Sequence, residues 1–193
     1  MIVVIVVLLT CFAVPAAAQG QAEVAAQFVA VRSSEFDATD KGIGVRFTWL
    51  PSRLVGADAE VNFFPNDFGG RASFSSSRSE GLFGVTVGPR IGPLRPFAKL
   101  RPGFLNFRGQ PTVCILIFPP PLTCTLASGR TLAAVDLGGG IDIATTARTF
   151  VRVDLGDRLV RYPGPAFDSD RMIREDSFFA HEFRFAAGAG VRF

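Results

Sequence analysis

The chain has 193 residues, 48% hydrophobic and 19% charged, with a mean hydropathy of +0.32, which excludes a disordered segment and is apolar even for a folded water-soluble domain. The net charge of +3 comes from 18 Arg and 2 Lys against 17 acids. These charges are scattered without a basic run, so composition gives no sign of nucleic-acid binding. With 20 Gly, 13 Pro and 20 Phe, the composition favours short strands and turns over helices.

Residues Met1 to Leu9 are wholly apolar, and Pro15-Ala16-Ala17-Ala18-Gln19 supplies small residues at a cleavage position. We read 1–18 as a secretory signal peptide and 19–193 as one domain. The apolar run is shorter than the roughly 20 residues of a membrane-spanning helix, and Pro15 interrupts its end. Cys11 leaves with the leader, so Cys114 and Cys124 remain, and export favours a disulfide between them. One His and two cysteines are too few ligands for a zinc site. No metal and no cofactor is expected.

From there the chain alternates with a period of two. A first, less regular strand lies around Glu23 to Arg32, with Val24, Ala26, Phe28 and Ala30 on one side. In Lys41 to Trp49, Ile43, Val45, Phe47 and Trp49 oppose Gly42, Gly44, Arg46 and Thr48. Ala57, Ala59, Val61 and Phe63 then oppose Asp58, Glu60 and Asn62, and Phe83, Val85, Val87 and Ile91 oppose Gly84, Thr86 and Arg90. In the fifth strand Ala98, Leu100 and Phe104 oppose Lys99 and Arg101, with Pro96 and Pro102 as weak points because each lacks a ladder donor. Ala133, Val135, Leu137, Ile141 and Ile143 oppose Asp136, Gly138, Gly140 and Asp142. Val151, Val153 and Leu155 oppose Arg152 and Asp154, and Phe183 to Phe193 alternates against Glu182, Arg184 and Arg192.

Eight such segments of roughly 9 to 11 residues suit tilted crossings of a bilayer. The connections alternate between short (51–54, 92–94, 144–148) and longer (33–40, 64–80, 106–130, 157–180), as expected when the two rims face different compartments. The predicted fold is all-β: an eight-stranded antiparallel up-and-down transmembrane β-barrel. In hydrocarbon a sheet must close to leave no edge, so the apolar faces should meet lipid and the charged faces point inward. The inward cations are Arg46, Arg90, Lys99, Arg101, Arg152, Arg184 and Arg192; the anions are Asp58, Glu60, Asp136, Asp142, Asp154 and Glu182. This near balance predicts a filled, charge-paired interior rather than an open pore. The competing architecture is a soluble lipocalin-like barrel with the apolar face turned inward around a ligand.

The terminal segment Phe183-Arg184-Phe185-Ala186-Ala187-Gly188-Ala189-Gly190-Val191-Arg192-Phe193, with the strand pattern and the leader end, resembles the small outer-membrane β-barrels of Gram-negative-type bacteria, the group of the OmpA membrane domain and OmpX. The resemblance implies location in the outer membrane and contact with its lipids. It also implies reading of the last strand by the barrel-assembly machinery, through Phe185, Val191 and the final Phe193. A monomer with a structural or surface-interaction role carried by its loops is the expected state, with no nucleic-acid partner. The loop 106–130, in which Cys114 and Cys124 flank a Pro-rich tip, is the place for a surface partner, either as an apolar finger or as a rim extension packed on its neighbours. Some members of the wider group modify lipid A with a rim His, Ser and an acid. Here that alternative rests on His181 with nearby Ser177 and Asp176. Asp136 and Asp142 are too far apart on one strand for a carboxylate dyad, and Gly138-Gly139-Gly140 lacks the Lys and Ser or Thr of a phosphate loop.

Overall fold

The computed structural model describes residues 20–35, 38–65, 77–109, 118–167 and 173–193. Ten strands and one short helix occur among them: β1 (Gln21–Ser33), β2 (Ala38–Leu50), β3 (Val55–Phe64), β4 (Arg78–Val87), β5 (Leu94–Phe107), α1 (Leu122–Ala127), β6 (Arg130–Ala144), β7 (Thr149–Tyr162), β8 (Ala166–Phe167), β9 (Ile173–Arg174) and β10 (Phe178–Arg192). Strands β1 to β7 and β10 form a closed barrel in which each pairs antiparallel with its sequence neighbours. The last strand closes on the first, from Glu23↔Arg192 to Ser33↔Glu182. β8 and β9 form a small separate hairpin within the last connection. No helix among the described residues is long and apolar enough to cross a membrane.

The alternation sorts side chains as its period requires. In β3, Val55, Ala57, Ala59, Val61 and Phe63 are exposed on the outer wall, while Gly56, Asp58, Glu60, Asn62 and Phe64 are buried inside. Val61 is 65% exposed while its neighbour Glu60 is 2% exposed. The stripe that is apolar in the sequence therefore faces outward, the opposite of a lipocalin-like barrel.

Several strands are longer than the expected 9 to 11 residues: β6 and β10 have 15 and β5 and β7 have 14. The polarity rule inverts at their loop ends, which is why alternation read as apolar-out stops short there. Beyond the level of Glu80, Arg158 and Glu182, the inward positions are Leu105, Phe107, Leu132, Val160, Tyr162 and Ala180, all buried in one apolar cluster with Leu122, Leu126 and Ala127 of α1. On the outer wall at that level stand Asp157, Arg161 and His181, with Asn106 donating to Thr131 Oγ1 at 2.7 Å. Only Leu159 and Phe179 interrupt this polar collar on β7 and β10. The first connection accordingly shrinks to 34–37 and the last to 163–177.

Pro96 and Pro102 do not break β5, which runs unbroken against β6. Both occupy outward positions. The cost of the missing donor shows on the other side, where pairing with β4 skips from Leu82↔Gly103 to Val85↔Leu100. In the 106–130 segment, the second arm of the expected apolar finger is instead α1, folded into the barrel mouth as a plug. This matches the rim-packed alternative, because Leu122 and Leu126 gain burial there that an extended finger would forgo. Residues 110–117, including Cys114, lie outside the described residues, as does the leader.

Candidate functional site

The inward polar side chains form tiers along the barrel axis. The middle tier joins Arg46 (β2), Asp58 and Glu60 (β3), Lys99 and Arg101 (β5), Asp136 (β6), Asp154 (β7) and Arg184 (β10), four cations and four carboxylates from six strands. Arg101 donates from Nε to Asp136 Oδ2 at 2.9 Å and from Nη1 to Asp58 Oδ2 at 3.0 Å. Arg46 Nε donates to Glu60 Oε2 at 2.9 Å, and its Nη2 lies 2.9 Å from Asp154 Oδ2. Lys99 Nζ lies 3.0 Å from Asp136 Oδ2 and also donates to Asp154. Arg184 closes the group by pairing with Glu60. Glu60 thus receives three guanidinium groups and the Asn62 amide.

The strand register builds this network. Arg46↔Glu60, Arg101↔Asp136, Asp142↔Arg152, Glu182↔Arg158 and Glu23↔Arg192 are all direct cross-strand partners, and each of these five pairs is an ion pair. Two facing glycines, Gly138 and Gly156, supply the space. A Cβ at Gly156 would lie 2.9 Å from Asp136 Oδ1 and 3.3 Å from Lys99 Cε.

Toward the loop rim, Arg158 donates to Glu182 at 2.8 Å and to Glu80 at 2.8 Å. Glu182 also accepts from Ser33 Oγ at 3.0 Å and from the Tyr162 hydroxyl at 2.9 Å. Toward the rim that carries both ends of the barrel, hereafter the terminal rim, Arg152 and Arg95 share Asp142, and Arg152 and Arg192 share Glu23. Between the tiers, the Phe97 ring lies under the Arg152 guanidinium at 5.0 Å and the Phe64 ring under that of Arg158 at 5.8 Å.

Twelve of the thirteen expected interior charges are buried there. Arg90 is the exception. β4 ends at Val87, Gly88 and Pro89 follow, and Arg90 sits on the terminal rim with its side chain 38% exposed, 3.9 Å from Glu23. Sequence reading missed Glu23, Arg78, Glu80, Arg95 and Arg158, all buried inside. Glu23 was one residue out of phase with Val24, and the signal was present. Arg158 lies where the polarity inversion hides the strand, Arg78 and Glu80 at a strand start that reads as loop, and Arg95 beside a Pro-containing turn.

The rim histidine does not meet its expected partners. His181 is on the outer wall, with Nδ1 2.6 Å from Asp157 Oδ2, while the Ser177 hydroxyl accepts from Arg161 at 2.9 Å. Ser34 Oγ donates to the His181 backbone carbonyl at 2.8 Å, but among the described residues neither Ser34 nor Ser177 bonds the imidazole and no metal-ligating group of three occurs. At the last strand, Val191 and Phe193 are exposed outward, and the Phe193 amide donates to the Ala22 carbonyl at 2.9 Å. The only Tyr, Tyr162, is inside the barrel, so the outer wall carries Trp49 at the terminal rim and phenylalanines elsewhere.

No protein-family model matches the sequence, and no curated protein matches it. Among solved structures, the chain is similar to Neisserial surface protein A (NspA), at 13% identity over 90% of this chain and 97% of that one, with a TM-score of 0.52. It is similar to the outer membrane protein OprG from Pseudomonas aeruginosa to the same degree, at 13% identity, covering 90% of this chain and 96% of that one, TM-score 0.52. The chain therefore has the closed eight-stranded up-and-down fold of the small outer-membrane barrels.

Proposed function

We propose that the chain is an exported outer-membrane protein, a monomeric barrel sealed by its own charge network, which serves the cell envelope structurally or presents its loop rim to a surface partner. The observation that carries this reading is the pairing of two faces. Ile43, Val45, Val61, Phe83, Leu100, Leu155 and Phe183 surround the barrel as an exposed apolar belt, while charges of both signs fill its inside. On β10 the belt from Phe183 to Val191 is nine residues, about 26 Å along the strand and roughly 20 Å along the axis at a 40° tilt, approaching the roughly 25 Å apolar band of outer-membrane barrels. A belt of that extent in water would be an aggregation surface; in lipid it is the ground state. The polar collar of Asp157, Arg161 and His181 then lies at the headgroup level outside, and the short turns 51–54, 88–93 and 145–148 face the periplasm.

In the same reading the leader 1–18 is removed on export, and Cys114 and Cys124 form a disulfide that fastens α1 to the first arm of its loop. The exposed Phe118, beside the Pro-rich tip, marks the loop face for a partner. Acyl-transfer or hydrolysis on lipid A finds no support in the engagement of Ser177 by Arg161. The test is fractionation with a gel comparison of boiled and unboiled samples, followed by conductance across a planar bilayer. The expected result is recovery with the outer membrane, a mobility shift on boiling and no steady conductance. Recovery in the soluble periplasm without detergent, or a stable ohmic pore, would contradict the reading.

A further inference from the structure

The charge balance that holds in the middle of the barrel fails at its terminal rim. There the guanidinium groups of Arg90, Arg95, Arg152 and Arg192 face two carboxylates, Glu23 and Asp142, leaving a surplus of two positive charges. Arg152 takes both oxygens of Asp142 and Arg192 takes Oε1 of Glu23 at 2.7 Å, so Arg95 receives what is left. Arg95 is 2% exposed, yet its Nε and Nη1 make no hydrogen bond. Its contacts are Asp142 Oδ2, 3.6 Å from Nη1, and Thr86 Oγ1, 3.5 Å from Nη2. Nε and Nη1 are also closed to solvent, so a ligand beside Arg95 would draw on its charge and on Nη2, whose bond to Thr86 is long.

Arg95 lines a cavity of about 720 Å³ that opens at this rim between the 51–54 and 88–93 turns, and Ser52, Arg53, Arg90 and Gln21 line it too. Ser52 Oγ already accepts the amides of Leu54 and Val55, which leaves its proton to donate into the cavity. Arg95, Arg90 and Arg53 approach from a strand and two different turns. Guanidinium groups from three separate segments lining one cavity suit a group with several charged oxygens better than a planar carboxylate, which a single fork would satisfy. A phosphate monoester carries roughly −1.5 to −2 charges at neutral pH, which lies within the surplus, and Arg53 at the mouth raises that surplus further.

We propose that the cavity at the terminal rim is a binding site for a phosphate group, held by Arg95 at its floor and by Arg53, Arg90 and Ser52 at its mouth. The ligand is either a free phosphate ester or the headgroup of a phospholipid at that rim. The site stands on the local geometry and does not depend on what the loop rim does.

The test uses the folded chain in micelles of an uncharged sugar detergent, titrated calorimetrically with inorganic phosphate at constant ionic strength. Saturable binding of one phosphate per barrel is expected, weakened about tenfold or more in the R53A/R90A double variant, which loses two charge-assisted donors, and abolished in R95M. Both arginines in the double variant are exposed, so it decides the matter if R95M fails to fold. Heat without saturation, or equal affinity in wild type and the double variant, would overturn the proposal. Competition with glycerol phosphate and with a short-chain phosphatidic acid identifies the source: whichever displaces phosphate at the lower concentration is the class the site takes, and displacement by neither overturns it.

Discussion

Glu60 concentrates the energetics of the interior, because Arg46, Arg101 and Arg184 all rely on its two oxygens. A buried pair contributes little compared with a well-packed apolar substitute, but removing one partner strands the other at a cost of about 3–5 kcal/mol. Glu60→Gln should therefore lower the urea midpoint of the barrel refolded in neutral vesicles by an amount equivalent to about that range. Arg90→Ala, at an exposed rim position, should move it by less than about 0.5 kcal/mol. Equal midpoints for Glu60→Gln and wild type would mean that the interior ions are solvated and not mutually dependent. Which residues carry charge inward was legible from alternation alone, as for Asp58, Lys99 and Asp154. Which carboxylate meets which guanidinium was not, because Arg101 reaches Glu60 and Asp58 across the barrel, forty-odd positions away in sequence, and only closure brings them together. Arg90 was misplaced because alternation carries no information about where a strand ends.

At the level of elements, two features decide whether the strands register and whether the barrel is capped. Gly138 lies opposite Gly156, and a Cβ there would stand 2.1 Å from the Leu155 carbonyl oxygen and 2.5 Å from Gly156 Cα, both backbone atoms that cannot yield. Gly138→Val should abolish the compact unboiled gel form, while the outward Val135→Ala should retain it; a compact form in both would refute the close approach. The plug is tested at Leu126, which is fully buried in the cluster beneath the loop rim. Leu126→Ala should destabilise by about 2–5 kcal/mol, read as a lower temperature for the loss of the unboiled form; an unchanged temperature would place α1 outside the barrel mouth. These loop-end elements were the least legible in the sequence. Once the outer wall leaves hydrocarbon, Asp157 and Arg161 face out and Val160 and Tyr162 face in, so a correct strand reads as a loop to a rule that expects apolar side chains outside. Likewise Leu122 to Ala127 is too short for a helical period to stand out from an apolar arm.

On the scale of the whole molecule, one topological fact organises the rest: the main sheet closes, so every barrel strand has two neighbours and the barrel leaves no edge to water, lipid or another chain. Closure was legible because eight segments of similar length share one phase, with short and longer connections in turn. The closed sheet then separates two solvents, and the same period-two pattern supplies a lipid-compatible outside and a salt-bridged inside. The interior leaves the terminal rim short of negative charge and the loop rim capped by apolar packing, which gives the two ends different chemistry.

The most direct test of this separation uses the single indole. In a Trp49→Phe background, Phe83→Trp places it at the level of Ala59, midway along the exposed face of β3 and β4. In bilayers, lipids brominated on their acyl chains should quench its fluorescence strongly, and aqueous iodide should leave it unchanged. Quenching by iodide with no effect of the brominated chains would put the apolar belt in water and contradict the account.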